Sequence, residues 1–331
     1  MTWFESLVGF PESRPDQVRK NLSVNGETMV SHTNGRELIC GRLETPSLAE
    51  LRERVKTTAH RRGRTTVREV VANVRDLHAT VSNAGSLFQV ASQFNLLEMV
   101  SPSVTPERGV GIYENDFTQG PACAIAAGAG TIYRNYFAPT NGQTGQSRDN
   151  QIDCLRDLGA ELGNHDGQLW KMSNGYALAS RSGLKEISAR IQASDDRQLD
   201  EFREKLQIGV HWNTQVTLEG ASHLVSQAYC SALPVAYSAH RGELWQEFAK
   251  LVLEASYEAT LCAALLNSQN KGGRQVFLTL LGGGAFGNKT EWIIDSMRRA
   301  LKLHAESGLE VVIVSYGMSD QHVRELVKEF S

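Results

Sequence analysis

The chain has 331 residues, of which 41% are hydrophobic and 21% charged, enough for one elaborated domain or two small ones with a sizeable core. With 34 basic and 37 acidic side chains the net charge is −3, so the surface carries no field for wrapping a polyanion and a dedicated nucleic-acid binder is not expected. Five cysteines, at 40, 123, 154, 230 and 262, include no C-x-x-C pair, and no secretory leader or membrane-length apolar run is evident; a reducing, cytoplasmic setting without structural zinc or a membrane partner is expected.

Residues 1–65 read as an accessory region. Segments 27–30 and 37–42 are strand candidates around the turn signal Asn34-Gly35, and Thr45-Pro46-Ser47 opens a helix on which Leu48, Leu51 and Val55 recur at helical spacing. Residues 52–64, rich in Arg, Lys and His, read as a solvated face and loop. From Thr65, TTVREVVANVRDL alternates like a strand, LFQVAS at 87–92 is a second, and PACAIAAGAGTIYRNYF at 121–137 predicts a buried helix. Residues 138–206 look like an insertion: a polar loop, a short helix, a hairpin turning at Asn174-Gly175 and two charged amphipathic helices. From 207 onward the order is strand, strand, helix, strand, glycine loop, helix, strand. Such alternation implies an α/β sheet covered on both faces, with ligands beyond its strand ends.

The strongest local signal is LLGGGAFGNKTEW at 280–292. A glycine-rich strand-to-helix turn exposes backbone N–H groups suited to a phosphate or diphosphate, and Phe286 offers a face to a sugar or base. The spacing matches neither a Walker loop nor a Rossmann fingerprint. His211, His223 and His240 are too irregularly spaced for a metal signature, Ser231 lies outside a G-x-S-x-G elbow, and Trp212, Tyr229 and Trp245 read as core.

Four segments in order resemble the macrodomain superfamily. VRDL at 74–77 resembles its Gly-Asp-Ile element and VASQFN at 90–95 its V-N-A-A-N strand end. QGPACAIAAGAG at 119–130 resembles its first phosphate loop and LLGGGAFGN at 280–288 its second. The resemblance implies a three-layer α/β/α mixed sheet over residues 66–331, interrupted by the insertion at about 138–206, with ADP-ribose as ligand and no cofactor or metal. It implies that Asp76, with Leu77 beside it, holds adenine, near Ser315 and Tyr316 at the last strand's end, and that Asn95 contacts the distal ribose. It also implies backbone contacts to the diphosphate from Gln119, Gly120 and Ala122 and from Gly283, Gly284, Ala285, Phe286, Gly287 and Asn288. Two departures stand out: Ser92 replaces the first Asn, and a carboxylate-bearing segment replaces the usual triple glycine.

That segment, NLLEMVSPSVTPERGVGIYENDFTQGP at 95–121, carries Glu98, Glu107, Glu114 and Asp116 between the two ligand elements. Carboxylates near ribose C1″ can hold a guanidinium and can activate water or stabilise oxocarbenium-like charge. The pattern is similar to the macrodomain branch that removes ADP-ribose from arginine. The expectation is therefore a hydrolase acting on ADP-ribosylated arginine in proteins, with Glu98 and Asp116 favoured over Glu107 and Glu114. A non-catalytic ADP-ribose reader, or a hydrolase of poly(ADP-ribose) or an ester-linked adduct, are the alternatives; a pure reader has no need of carboxylates at C1″.

Overall fold

The computed structural model describes residues 1–58, 63–269 and 272–331, so part of the basic stretch 52–64 lies outside the described residues. Strands β1 (Leu22–Asn25), β2 (Thr28–Ser31) and β3 (Glu37–Ile39) form a small antiparallel sheet. β4 (Arg42–Glu44), β5 (Thr66–Val71) and β6 (Leu87–Ala91) enter a larger one. β7 (Pro139–Thr140) pairs with β8 (Gln143–Thr144), and β9 (Trp170–Ser173) with β10 (Tyr176–Ala179), as hairpins outside it. β11 (Gly209–Gln215), β12 (Leu224–Cys230), β13 (Gln275–Thr279) and β14 (Glu310–Ser315) complete a seven-stranded mixed sheet in the order β4-β11-β12-β6-β13-β14-β5.

In this sheet β12, β6, β13, β14 and β5 run parallel, while β11 and β4 add antiparallel at one edge. The apolar runs LFQVA, QVFLT and EVVIVS make the central strands because both of their faces are buried. Helices Leu48–Thr57, Gln246–Gln269 and Thr290–Leu303 pack together on one side. Helices Val74–Ala79, Gln119–Ala126 and Gly128–Tyr136 lie on the other, giving three α/β/α layers. His78 stacks on Phe88 at 3.8 Å and Phe88 on Phe277 at 4.3 Å within the core.

The N-terminal region divides between two cores. Phe4, Leu7, Val18, Met29 and Leu38 join Leu97, Met99, Tyr113, Ile132 and Tyr136 in a second apolar cluster under the acidic segment. Leu48 and Leu51 instead join the main core, and β4 is an edge strand of the large sheet.

Three local expectations need correction. VRDL is helix rather than strand: β5 stops at Val71, and the Asn73 side chain accepts from Arg75 N at 2.9 Å, capping helix Val74–Ala79. The helix expected over 121–137 is two helices broken at Ala127, because Thr217 intercepts the ladder. Its N–H donates to Ala126 O at 2.9 Å, and its Oγ1 accepts from Gly128 N at 2.9 Å. A last helix, Gln321–Phe330, follows β14 and was not expected; Asp320 caps it by accepting from His322 N and Val323 N.

The insertion is fastened to the main body by a partly buried charge network. Arg52 on helix Leu48–Thr57 reaches Asp200 at 2.7 Å, Glu204 at 2.9 Å and Glu258 at 2.6 Å, joining helix Asp196–Glu204 to helix Gln246–Gln269. Arg299 also meets Glu258, at 2.6 Å. Burial alone would raise the Glu258 pKa, but the two guanidiniums bring it below the usual carboxylate range. Arg52→Ala leaves these carboxylates short of counter-charge and is expected to cost about 3 kcal/mol in denaturant unfolding. Arg54→Ala, which removes only an exposed pair with Glu44, is expected to cost under about 1 kcal/mol. Equal losses from the two variants would contradict the assignment.

Candidate functional site

A cleft of ≈ 600 Å³ opens beyond the C-terminal ends of the five parallel strands, within the range of small-molecule sites. Each strand sends its following residues into the wall: 73–75 after β5, Ser92 and Gln93 after β6, Ala232 after β12, 280–282 after β13 and Tyr316 after β14.

Two backbone loops face each other across this cleft. In one, Thr118 N donates to Asp116 Oδ1 at 2.9 Å, and the eight-residue helix Gln119–Ala126 then begins. The other runs from Leu280 to Asn288 and is shaped by hydrogen bonds from Gly287 N to Gly284 O (3.0 Å) and from Asn288 N to Gly282 O (2.9 Å). Among the described residues, the N–H groups of Gln119, Gly120, Gly284, Ala285 and Phe286 meet no acceptor, so both loops present donors suited to an anion. Gly282 adopts φ +74°, and a Cβ there would strike Ala232; Gly284 has open space where its side chain would be.

Glu98 forms the floor between these loops. It is 3% exposed, and its Oε1 has no hydrogen-bond partner. A Cβ on Gly120 would lie 2.6 Å from Glu98 Oε2 and would also strike Ala91 O, so the glycine makes room for the carboxyl. Tyr113 Oη accepts from Glu98 N at 2.9 Å. Burial, opposed by the Arg134 guanidinium and reinforced by Asp116, pushes the Glu98 pKa well above the usual carboxylate range. Asp116 and Glu114 also line the cleft; Glu114 Oε2 accepts from Trp3 N at 3.1 Å.

Other expected residues fall outside the lining. Glu107 opens onto a neighbouring pocket instead, where its carboxylate accepts from Arg148 N at 2.8 Å. Asn95 is fully buried and holds structure: its Oδ1 accepts from Leu97 N at 3.1 Å, and its amide donates to Gln151 at 2.8 Å. Asp76 and Leu77 lie one step beyond Asn73, Val74 and Arg75, which do line the cleft, because the segment turns into a helix there. Ser315 donates to Glu69 at 2.6 Å, behind Tyr316. Gly283, Gly287 and Asn288 shape the second loop; the Asn288 amide donates to Leu233 O at 2.9 Å. Gln119, Gly120, Ala122, Gly284, Ala285, Phe286 and Tyr316 line the cleft.

Three contributors were missed by sequence reasoning. Tyr176, from the β9–β10 hairpin, and Tyr237 cluster with Phe286 at centroid distances of 5.1, 5.3 and 5.6 Å, making an aromatic wall. Arg134, completely buried, lies behind Glu98; its Nε donates to Leu96 O at 3.1 Å and its guanidinium lies 3.6 Å over the Tyr229 ring. An Arg amid the small apolar residues of 121–137 was the available signal for it. No group of His, Cys, Asp and Glu among the described residues is arranged to hold a metal ion, and no described helix is long and apolar enough to cross a membrane.

Two outcomes follow from this geometry. Gly284→Val is expected to retain native circular dichroism, since the position is open, and to weaken a phosphate-bearing ligand by at least about 10-fold in calorimetry, because the side chain occupies the approach to the amides. Unchanged affinity would reduce the loop to a turn. Glu98→Gln tests the burial of charge. The raised pKa means that the folded chain binds this proton more tightly than the unfolded chain. The stabilisation is present below the unfolded carboxyl's range and is lost as pH rises through the folded value. Thermal unfolding of Glu98→Gln should gain on wild type as pH rises above the unfolded carboxyl's range; a gain that shrinks with rising pH would contradict the burial argument.

No protein-family model and no curated protein matches the sequence. Among solved structures the chain is similar to poly(ADP-ribose) glycohydrolase (PARG) from Thermomonospora curvata, at TM-score 0.49 and 12% identity, covering 96% of each chain. It is also similar to PARG from Deinococcus radiodurans in complex with ADP-ribose, at TM-score 0.48 and 13% identity, covering 87% of this chain and 92% of that one. Neither comparison points to the arginine-specific branch in particular.

Proposed function

We propose that this protein hydrolyses the glycosidic bond of ADP-ribose, and that its substrate is ADP-ribose carried on arginine in proteins. The observation that carries this reading is the Glu98 carboxyl, buried with an unpartnered oxygen at the floor between two donor-lined loops, with Asp116 in the same wall. The loops suit the diphosphate, the Tyr176–Tyr237–Phe286 wall suits a ribose or base, and Tyr316 offers a stacking face at the β14 end.

In hydrolysis the C1″–N bond breaks, the electron pair leaves with the guanidine, and the water oxygen bonds to C1″. The water gives one proton to the guanidine nitrogen, so the products are ADP-ribose and an arginine guanidinium. A carboxyl with a raised pKa suits that relay, giving its proton to the departing nitrogen and taking one back from the water as its oxygen bonds to C1″. Asp116, more exposed, suits the cationic guanidinium. Poly(ADP-ribose) is the second reading, favoured by Arg108 and Arg148 beside the neighbouring pocket, since a second ADP-ribose unit would bring phosphates there.

Wild-type protein is expected to bind free ADP-ribose at micromolar concentration, about −8 kcal/mol, and to release ADP-ribose from arginine-modified peptides faster than from serine- or glutamate-modified peptides or from poly(ADP-ribose). Glu98→Gln and Asp116→Asn are each expected to lower that turnover by about 10²-fold with little change in ADP-ribose affinity. Wild-type turnover in both variants would remove these carboxylates from the reaction. Preference for the polymer would replace the substrate.

A further inference from the structure

Beside the main cleft lies a second pocket of ≈ 540 Å³, and the two cavities have Glu98, Val100 and Asp116 in common. The wall proposed for cleavage therefore faces two chambers. The cleft side carries the donor loops and the aromatic cluster. The other side differs in chemistry: Val104 and Ile112 are apolar, and the acidic groups are Glu98, Asp116 and Glu107.

From these observations, and resting on the function proposed above, we infer that the second pocket is the leaving-group subsite, which receives the arginine side chain and its flanking peptide while ADP-ribose fills the cleft. A glycosidic bond placed at Glu98 and Asp116 has its sugar on one side of that wall and its aglycone on the other. The unpartnered Glu98 Oε1, buried where the chambers meet, is an acceptor awaiting a donor, and a guanidinium supplies donors in a planar fork. Val100, Val104 and Ile112 suit the aliphatic stem of arginine. Glu107 is held in place by Arg148 N, and its pKa lies below the usual carboxylate range: burial would raise it, but hydrogen bonds from Thr105 and the Arg148 backbone outweigh that effect. It therefore stays anionic toward a cationic guest. Arg108, Arg148 and Glu107 are exposed, whereas Glu98 and Tyr113 are buried, so two cations and one carboxylate stand at the rim and a carboxyl lies at the floor. A phosphate-bearing leaving group would find its cations at the rim only, with no donor side chain among the described residues but the Tyr113 hydroxyl at that floor.

Filling the pocket separates the chambers. Ser103→Trp and Val104→Trp, which fill the second pocket without touching the cleft, are expected to leave the ADP-ribose Kd within about 2-fold of wild type. They should raise KM for an arginine-ADP-ribosylated peptide by at least about 10-fold, with kcat little changed. On unmodified protein saturated with ADP-ribose, the guanidino probe agmatine should bind without displacing the nucleotide. Wild-type KM in both filled variants that still bind ADP-ribose, or displacement of ADP-ribose by agmatine, overturns the subsite. Failure of the wild-type protein to bind ADP-ribose overturns the underlying function instead, and release from poly(ADP-ribose) but not from arginine overturns the occupant while leaving the cleft intact.

Discussion

Keeping an ionisable carboxyl buried at Glu98 is the constraint around which the rest of the site is organised. Placing charge in a low-dielectric interior costs several kcal/mol unless a counter-charge or hydrogen bonds offset it. Arg134 provides the counter-charge from beneath and forms no ion pair among the described residues. Its Nη2 donates to Thr131 Oγ1 at 3.0 Å, and its Nη1 lies 3.4 Å from His211 Nδ1. Arginine has no acceptor, so that ring nitrogen keeps its lone pair; burial and the guanidinium both hold the His211 pKa well below its usual value, which keeps the ring neutral. On Glu98 burial and Asp116 favour the neutral form, and Arg134, which favours the charged one, offsets them only in part. A proton relay needs such a group, and a fully paired carboxylate could not serve.

The turn that carries Glu98 is not self-supporting. Leu96 adopts φ 65°, a conformation that branched side chains seldom take, and it is over-determined by its surroundings. Phe94 N donates to Gly175 O at 3.0 Å and Cys154 N to Phe94 O at 3.0 Å, while Gln146 donates to Asn95 O at 2.9 Å. Tyr176 Oη donates to Met99 O at 2.6 Å. All four of these partners come from the insertion. From the other side Glu12 accepts from Val110 N at 2.8 Å, from Gly111 N at 2.6 Å and from the Tyr136 hydroxyl at 2.7 Å. The N-terminal region and the insertion, both peripheral to the sheet, therefore brace the acidic segment between them. This gives a physical reason for their presence: an irregular segment lacking ladder hydrogen bonds must find them elsewhere.

What the sequence disclosed divides along the same line. The apolar strands β6, β13 and β14 and the glycine loop after β13 were legible because hydrophobic runs and glycine clusters are local signals. Gly284, Phe286, Gly120, Glu98 and Asp116 line the cleft because strand-end loops reach it directly. Asn95 and Asp76 lie outside the cleft lining for a common reason: a motif fixes a backbone position, but neighbours decide where a side chain goes. Gln151, some fifty residues away, takes the Asn95 amide, and an Asn73 cap turns Asp76 onto a helix. Tyr176 and Arg134 carry no local signal beyond an aromatic after a hairpin turn and a charge in an apolar helix, so only tertiary packing reveals them.

The two kinds of group in the cleft do different energetic work. Amides at Gly120 and Gly284–Phe286 would hold a diphosphate equally in substrate and transition state, which lowers KM but does not by itself speed bond cleavage. Acceleration has to arise where charge changes during a reaction, and in the proposed one that would be the Glu98–Asp116 wall. A buried, pre-placed carboxyl suits this purpose because it needs no reorientation as charge develops at C1″. The bracing by insertion and N-terminal region and the missing side chain at Gly120 then share one physical rationale: each keeps the buried carboxyl in a single position, where a displacement of about 1 Å could cost about 10²-fold in rate.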